Sequence, residues 1–545
     1  MSLVYVAILN LFMVLNKVLN RRVTSLTEIL IIVALSFFPL FFNFPYRVNI
    51  FLSWEGSYRM YLDQVPYKDF GLPMGFGYWI IPSLFFKIFG PYLFSLIKAQ
   101  VLINLLSGFT FRSILSTLEV KPVQKLLSVI LYCISYSFFN FWPWYNHTVF
   151  VYEILGINFV LLAILGNPSK NWKLYLYLFL GAFFTFLSLF TKQDAGAIGF
   201  VICVVLLAYH TFVDKSFKEI LLFIAFFGIT ACCFILPFAQ HGFFYWFNYG
   251  QPPHNSRITI ADFLHEIFGF SHWIKFYLFA VALILINSIK DFRVFILQKR
   301  EVIFTLLTLG ILGEALLIQV TSYTPPDNNI YFHSFAFAFI ISAINFNIIV
   351  EKLYVTVIAV VMLLFWWSGV YWKYIQSILT RYTNIEITNL STRSVKIEED
   401  STLIDMSQWK LSGLKSFDRI YLPGPTVDGM KRLMESDAIK NKKNPKVLNM
   451  SELTPLASEI GYELEKGLPL WYHQDVSIFD KEVDFFAKRI EEDYYDMVLF
   501  ETIPYLENFY PEKIRQTLIK HYKLQDKFLA PRRPTDSWIE VYVKK

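Results

Sequence analysis

Glu55, Arg59, Asp63, Lys68 and Asp69 fall within about fifteen positions, between two apolar runs. The stretch reads Trp54-Glu55-Gly56-Ser57-Tyr58-Arg59, then Pro66-Tyr67-Lys68-Asp69-Phe70, then Pro73-Met74-Gly75. A plain connecting loop has no need of that mixture of acids, cations, aromatics and turn residues. A catalytic loop at a membrane surface does. Burial of Glu55 beside Trp54 and Tyr58 would lift its pKa towards the range of a general base. Its blander reading, like that of Asp63, is a solvated acid, and Asp69 could merely stabilise the Pro66-Tyr67 turn.

Composition says what must position these residues. The chain has 545 residues, 55% hydrophobic and 19% aromatic, with a mean hydropathy of +0.45. Repeated apolar runs near twenty residues long predict a polytopic α-helical membrane protein. Spans are expected near 27–45, 92–117, 123–143, 147–166, 172–191, 195–213, 218–238, 273–290, 301–320, 332–350 and 353–372, about eleven in all. Residues 1–26 form an N-terminal cytoplasmic or interfacial segment without an obvious cleavage site. The apolar segment 76–90 is short and is expected to lie along the outer surface. Lys and Arg cluster on alternate connections, for example Lys17, Arg21 and Arg22, then Lys121 and Lys125, then Lys299 and Arg300. The positive-inside rule places these connections in the cytoplasm. Segments 46–91, 239–272 and 321–331 are then outside, with the tail. The formal charge of +6 reflects this topology and not nucleic-acid binding. The cysteines Cys133, Cys203, Cys232 and Cys233 all lie in apolar runs, with no disulfide framework and no metal-ligand spacing.

The tail, 373–545, alternates strand-like runs (418–422, 446–449, 496–501, 538–543) with helical stretches (426–436, 481–493, 512–521). That pattern predicts a C-terminal extracytoplasmic α/β domain with a partly parallel sheet. Residues 27–372 form the transmembrane domain. The Arg532-Arg533 pair reads as a solvated turn.

Further ionisable groups collect at the outer ends of the spans. Thr191-Lys192-Gln193-Asp194-Ala195-Gly196 joins two of them, and His254 and Arg257 lie in the 239–272 connection. Tyr331 and His333 follow the last outer loop, while Lys98, Glu153 and Glu314 sit inside spans. Ionisable residues at that depth face a cavity or a partner, so their shared depth suggests one polar cavity open to the outside. Lys192 could instead snorkel to the headgroups, and each loop histidine could be structural. The parts suit transfer from a lipid-linked phosphate donor. Cations hold the departing phosphate, and a carboxylate takes the proton of the acceptor hydroxyl. No glycine-rich nucleotide cradle is evident.

The chain resembles the bacterial branch of the C-type (GT-C) membrane glycosyltransferases, the superfamily of protein mannosyltransferases and the lipid A aminoarabinose transferase. The resemblance rests on acid-Gly-x-Tyr-Arg (Glu55 to Arg59), Pro-Tyr-x-Asp-Phe (Pro66 to Phe70) and Pro-x-Gly-x-Gly-Tyr (Pro73 to Tyr78). Thr191-Lys192-Gln193 with Gly196 behind it is a second match. It implies that Glu55 is the catalytic base, where the family more often has Asp, with Asp69 as the alternative. It also implies that Lys192 contacts the donor phosphate. The expected function is an inverting glycosyltransferase. It would move a hexose or pentose from a polyprenyl-phosphate donor to a lipid, glycan or protein acceptor on the outer face of the bacterial inner membrane. Arg59, Tyr58, Lys192, Gln193, His254, Arg257, Tyr331 and His333 would bind donor phosphate or sugar. No cofactor is required, although an acid pair could bind a divalent cation. A lipid-linked glycan polymerase or ligase is the alternative. A transporter or flippase would call for charges through the full depth and an internal repeat.

Overall fold

The computed structural model describes residues 21–139, 141–166, 168, 170–248, 260–265, 272–288, 292–322, 331–343, six positions between 356 and 364, and 404–545 apart from 441, 505–508 and 533–534. The membrane half is a bundle of apolar helices. They are α1 (Arg21–Phe37), α4 (Leu93–Thr117), α5 (Pro122–Phe139), α6 (Tyr145–Ile164), α7 (Asn171–Thr191) and α8 (Gln193–Asp214), then α9 (Lys218–Ala239), α10 (His272–Ser288), α11 (Lys299–Ser322) and α12 (Tyr331–Ala343). Ten of the expected spans fall on these helices. The eleventh, 353–372, lies almost wholly outside the described residues. Seven are long and apolar enough to cross a bilayer by themselves. The bundle core runs through Phe111, Tyr132, Ile157, Leu206 and Leu307, all buried. Leu221, Ile229 and Leu236 of α9 point outward instead, as lipid-facing residues should. The cysteines divide the same way: Cys133 and Cys203 are buried, while Cys232 and Cys233 are exposed.

Segment 46–91 is not the loop that its charges suggest. It opens with the helix α2 (Ile50–Tyr61), buried from Ile50 to Arg59. A turn region leads from there to the short helix α3 (Ile80–Phe89). The apolar stretch Gly77–Phe89 spans only about 20 Å at 1.5 Å per residue. It cannot cross a hydrocarbon core of about 30 Å. Pro82, Ser83 and Phe86 face inward while Leu84, Ile88 and Phe89 are exposed, the pattern of a helix lying along a surface.

The tail carries the expected strands and helices. They are β4 (Ile420–Pro423), α13 (Gly424–Met434), β5 (Val447–Met450), α14 (Asp480–Glu491), β7 (Met497–Thr502), α15 (Glu512–His521) and β9 (Trp538–Lys544). Asp480 and Glu482 open α14 and Lys488 and Arg489 close it, matching the helix dipole. Three strands were not anticipated: β3 (Trp409–Leu411), β6 (Leu468–Pro469) and β8 (Tyr522–Leu529). The main sheet runs β5-β7-β9-β8. Its β5–β7 pair is parallel and its other pairs are antiparallel.

Two further pairings cross from one half of the chain to the other. The strand β1 (Phe44–Pro45) pairs in parallel with β4, and β2 (Phe70–Gly71) pairs in parallel with β6. One apolar cluster therefore contains Trp54, Tyr58, Phe86 and Leu93 together with Ile420, Leu422, Met497 and Val541. Segment 46–91 and the tail share a core and so lie on one side of the bundle.

The polar centre of this junction is Arg532. It is not a solvated turn residue but 2% exposed. It donates to Glu501 Oε1 at 2.8 Å and to Glu452 Oε1 at 2.7 Å. Glu452 also accepts from the Tyr46 hydroxyl at 3.1 Å and from the Asn49 N–H at 2.9 Å. Burial beside Glu501 raises the Glu452 carboxyl, and Arg532 opposes that rise. Removing one member of a buried ionic set strands the others. Arg532→Met should therefore cost about 3–5 kcal/mol. Thermal unfolding should show the loss, and limited proteolysis should show the tail released before the bundle unfolds.

Candidate functional site

The connection between α7 and α8 is one extended residue, Lys192, with φ −151° and ψ 121°. The chain reverses so tightly that a Cβ on Gly196 would lie 2.1 Å from the Leu189 amide nitrogen. Only glycine permits that approach. Lys192 is buried, with its ammonium 3.5 Å from Asp194 Oδ2. Asp194 opens α8, where the helix dipole favours an acid, and accepts from Thr321 Oγ1 of α11 at 2.6 Å. Deeper between the helices, Glu153 of α6 and Glu314 of α11 share a void of about 20 Å³ with Phe150, Phe332 and Phe335. Glu314 lies within electrostatic reach of Glu153, Asp194 and Lys192. Lys98 does not join them; its ammonium sits 4.2 Å from the Phe89 ring centroid, on the surface helix.

Two residues that sequence reasoning passed over belong to this cluster. His147, in the first turn of α6, is 2% exposed, and both its ring nitrogens lack a hydrogen-bond partner among the described residues. Arg47 and Lys192 both act on it electrostatically, and Arg47 lies 5.8 Å from the Trp144 ring centroid. The clue was present in Trp144-Tyr145-Asn146-His147, a polar and aromatic entry to an apolar helix.

The other acid group lies under the tail. Glu55 is 2% exposed. Its Oε1 accepts from Arg59 Nε at 3.0 Å and from Arg59 Nη2 at 2.8 Å. Arg59 also donates to Gln64 Oε1 at 3.1 Å and to the Glu465 carbonyl at 2.7 Å, so this guanidinium is committed to protein acceptors. Arg59 thus braces Glu55. Burial raises the Glu55 carboxyl and Arg59 opposes it. Tyr462 and Tyr472 of the tail are close enough to feel its charge. Tyr58 stacks on Trp54 with ring centroids 4.4 Å apart.

The remaining expected residues scatter. Asp69 Oδ2 accepts from the Val65 N–H at 2.7 Å, which is the turn-stabilising geometry. Gln193 donates to the Phe247 carbonyl at 2.7 Å. His333 is buried, with Nδ1 2.8 Å from the Tyr277 hydroxyl and Phe332 stacked at 4.2 Å. His254 and Arg257 lie outside the described residues, as does the Tyr331 side chain. Among the described residues, no three His, Cys, Asp or Glu side chains converge as metal ligands would.

The turn between Pro73 and Trp79 joins the two acid groups. A Cβ on Gly75 would meet the Phe190 carbonyl oxygen at 1.3 Å, beside the α7–α8 reversal. Tyr152 of α6 donates to the Gly77 carbonyl at 3.1 Å. Trp79 Nε1 donates to the Leu52 carbonyl of α2 at 2.9 Å. Gly75→Ala should therefore unseat the turn from α7. The expected result is lost function with the helical circular dichroism retained; wild-type function in this variant would show that the turn's seating does not matter.

The fold matches that of ArnT from Cupriavidus metallidurans. The apo crystal structure of that protein superposes with a TM-score of 0.50 at 12% identity, over 95% of this chain and 97% of that one. The crystal structure of ArnT bound to undecaprenyl phosphate gives a TM-score of 0.48 at 11% identity, over the same shares. No protein-family model matches the sequence, and no curated protein does. The membrane bundle followed by a strand-bearing tail is thus the fold that the resemblance implied.

Proposed function

We propose that the chain is a C-type membrane glycosyltransferase. It moves a sugar from a polyprenyl-phosphate donor to a lipid, glycan or protein acceptor at the outer face of the bacterial inner membrane. One observation supports this reading most: a buried imidazole, with both nitrogens unpaired among the described residues, lies within electrostatic reach of Arg47 and Lys192 at one end of the bundle. Unpaired buried polar groups cost about 1–3 kcal/mol each. A phosphate there accepts hydrogen bonds from all three side chains, and charge-assisted bonds are the strong ones. The carrier's tail then lies in the bilayer alongside the helices. The fold shared with ArnT supports the reading, as does the match of the outer motifs to that superfamily.

Transfer breaks the bond between the sugar's anomeric carbon and the phosphate oxygen and forms one to the acceptor oxygen. The cation cluster stabilises the departing phosphate. The acceptor oxygen attacks from the face opposite the phosphate, which inverts the anomeric centre, while a carboxylate takes its proton. Glu55 is the base in this scheme. Arg59 engages its Oε1, which fixes the carboxylate's direction and leaves the proton to Oε2. Asp69 is the alternative, though its Oδ2 is occupied by the turn.

The base must be deprotonated, and burial raises Glu55. Transfer should therefore fall as pH drops through a pKa above the ordinary glutamate range. Glu55→Gln should lower turnover by about 10²–10⁴-fold and remove that acidic limb, leaving polyprenyl-phosphate affinity unchanged. Near-normal transfer by Glu55→Gln in vesicles would exclude it as base. Separately, His147→Ala and Lys192→Ala should each weaken undecaprenyl phosphate binding by roughly tenfold or more, read by titration of the purified protein. Unchanged binding in both would exclude the phosphate assignment, whatever Glu55 does.

A further inference from the structure

A second cavity, of about 810 Å³, opens at the far end of the same helices. Helix α11 connects the two places. Its Thr321 bonds Asp194 in the candidate site, and its first residues, Lys299 to Glu301, line the cavity. At 1.5 Å per residue, that run spans about 33 Å, close to the thickness of a bilayer's hydrocarbon core. Helix α6 repeats the relation, with His147 at one end and Ile164 on the cavity wall. The cavity therefore sits at the opposite membrane–water boundary.

Its lining has two parts. Ile164, Ile284, Phe304 and Phe339 form an apolar wall, and charged side chains of both signs form the rim. Two rim cations are already paired: Arg300 Nη1 lies 2.5 Å from Glu119 Oε2, and Lys299 Nζ lies 2.7 Å from Asp214 Oδ2. Lys121 and Glu301, both exposed on the rim, make no ion pair among the described residues. One exposed cation and one exposed carboxylate remain, above an apolar wall.

We propose that this cavity is a second lipid site, holding a zwitterionic aminophospholipid of the leaflet opposite the candidate site. Its phosphate sits against Lys121, its ammonium against Glu301, and the upper acyl chains against the apolar wall. A purely anionic headgroup would satisfy Lys121 and meet Glu301 with like charge. A soluble phosphate ester would leave the apolar wall in water. The volume suits such an occupant, since small-molecule pockets run to about 300–1,000 Å³.

The test is competition on the purified full-length protein, read by native mass spectrometry. Phosphatidylethanolamine is set against phosphatidylglycerol of the same chains, with glycerophosphoethanolamine as the soluble headgroup. The expected result is retention of phosphatidylethanolamine over phosphatidylglycerol by about tenfold, the worth of one charge-assisted contact. Glycerophosphoethanolamine should not compete. Glu301→Gln should abolish the preference, and Lys121→Ala should weaken both lipids by a similar factor. Both positions are exposed, so the variants fold. Equal retention of the two lipids by the wild type would overturn the proposal, as would an unchanged preference in Glu301→Gln. Competition by glycerophosphoethanolamine at parity with the lipid would overturn the lipid assignment in favour of a soluble phosphate ester.

Discussion

The Arg532 guanidinium, buried between Glu452 and Glu501, is the contact on which the junction of the tail with segment 46–91 depends. It supplies one positive charge to two carboxylates that water does not reach. Glu452 can then spend its remaining capacity on Tyr46 and Asn49, which belong to the other half of the chain. Asn49 has φ 66°, a left-handed conformation that few residues adopt at no cost. The carboxylate bonded to its N–H compensates that cost and sets where α2 begins. Glu55 is carried on α2 less than two turns later. The position of the proposed base thus follows from an ion pair in the tail.

The two acid groups belong to different parts of the molecule. Glu55 is fixed from the tail side, through Arg59 and the Glu465 carbonyl. Asp194, Glu153 and Glu314 are fixed from the membrane side, by helices that pack through aliphatic and aromatic contacts. The Pro73–Trp79 turn touches both, resting on α7 at Gly75 and on α2 at Trp79. Gly75 lies directly on the Phe190 backbone there, and the buried Tyr152 hydroxyl and Trp79 indole tie the turn to its neighbours. A shift in the tail can therefore reach the membrane cluster through a stiff connection.

Much of this was legible in the residues. Long apolar runs fix spans because nothing else accommodates them, and the Thr191–Gly196 reversal announced itself by charge between two such runs. The four strand-like runs of the tail were recognisable from their apolar character. β8 was not, because Tyr522–Leu529 is mostly polar and exposed along one edge of the sheet, where alternation is weak. His147 and Arg47 were missed because each stands alone in sequence; only the packing of α6 beside the α7–α8 reversal gives them a common neighbour. Arg532 was misread for the same reason, since its partners lie 31 and 80 residues away. Segment 46–91 misled in another way. Its charges suggested a catalytic loop, yet Glu55 and Arg59 lie buried on a helix, paired with each other and braced by the tail, while Asp63 and Lys68 stay exposed.

The cross-chain pairings of β1 and β2 set an order of events in the life of the polypeptide. Tyr46 and Glu452 are 406 residues apart in sequence. At roughly 5–20 residues per second, the ribosome adds that interval in tens of seconds. During that time the spans can insert and pack, since the described helix pairs of the bundle, even α5 with α12, are complete by residue 343. Segment 46–91 cannot reach its final shape until the tail arrives on the same side and supplies β4, β6 and Glu452. The bundle is therefore built early and the proposed base is set last, so a nascent chain carries no completed centre while the membrane is still receiving its helices.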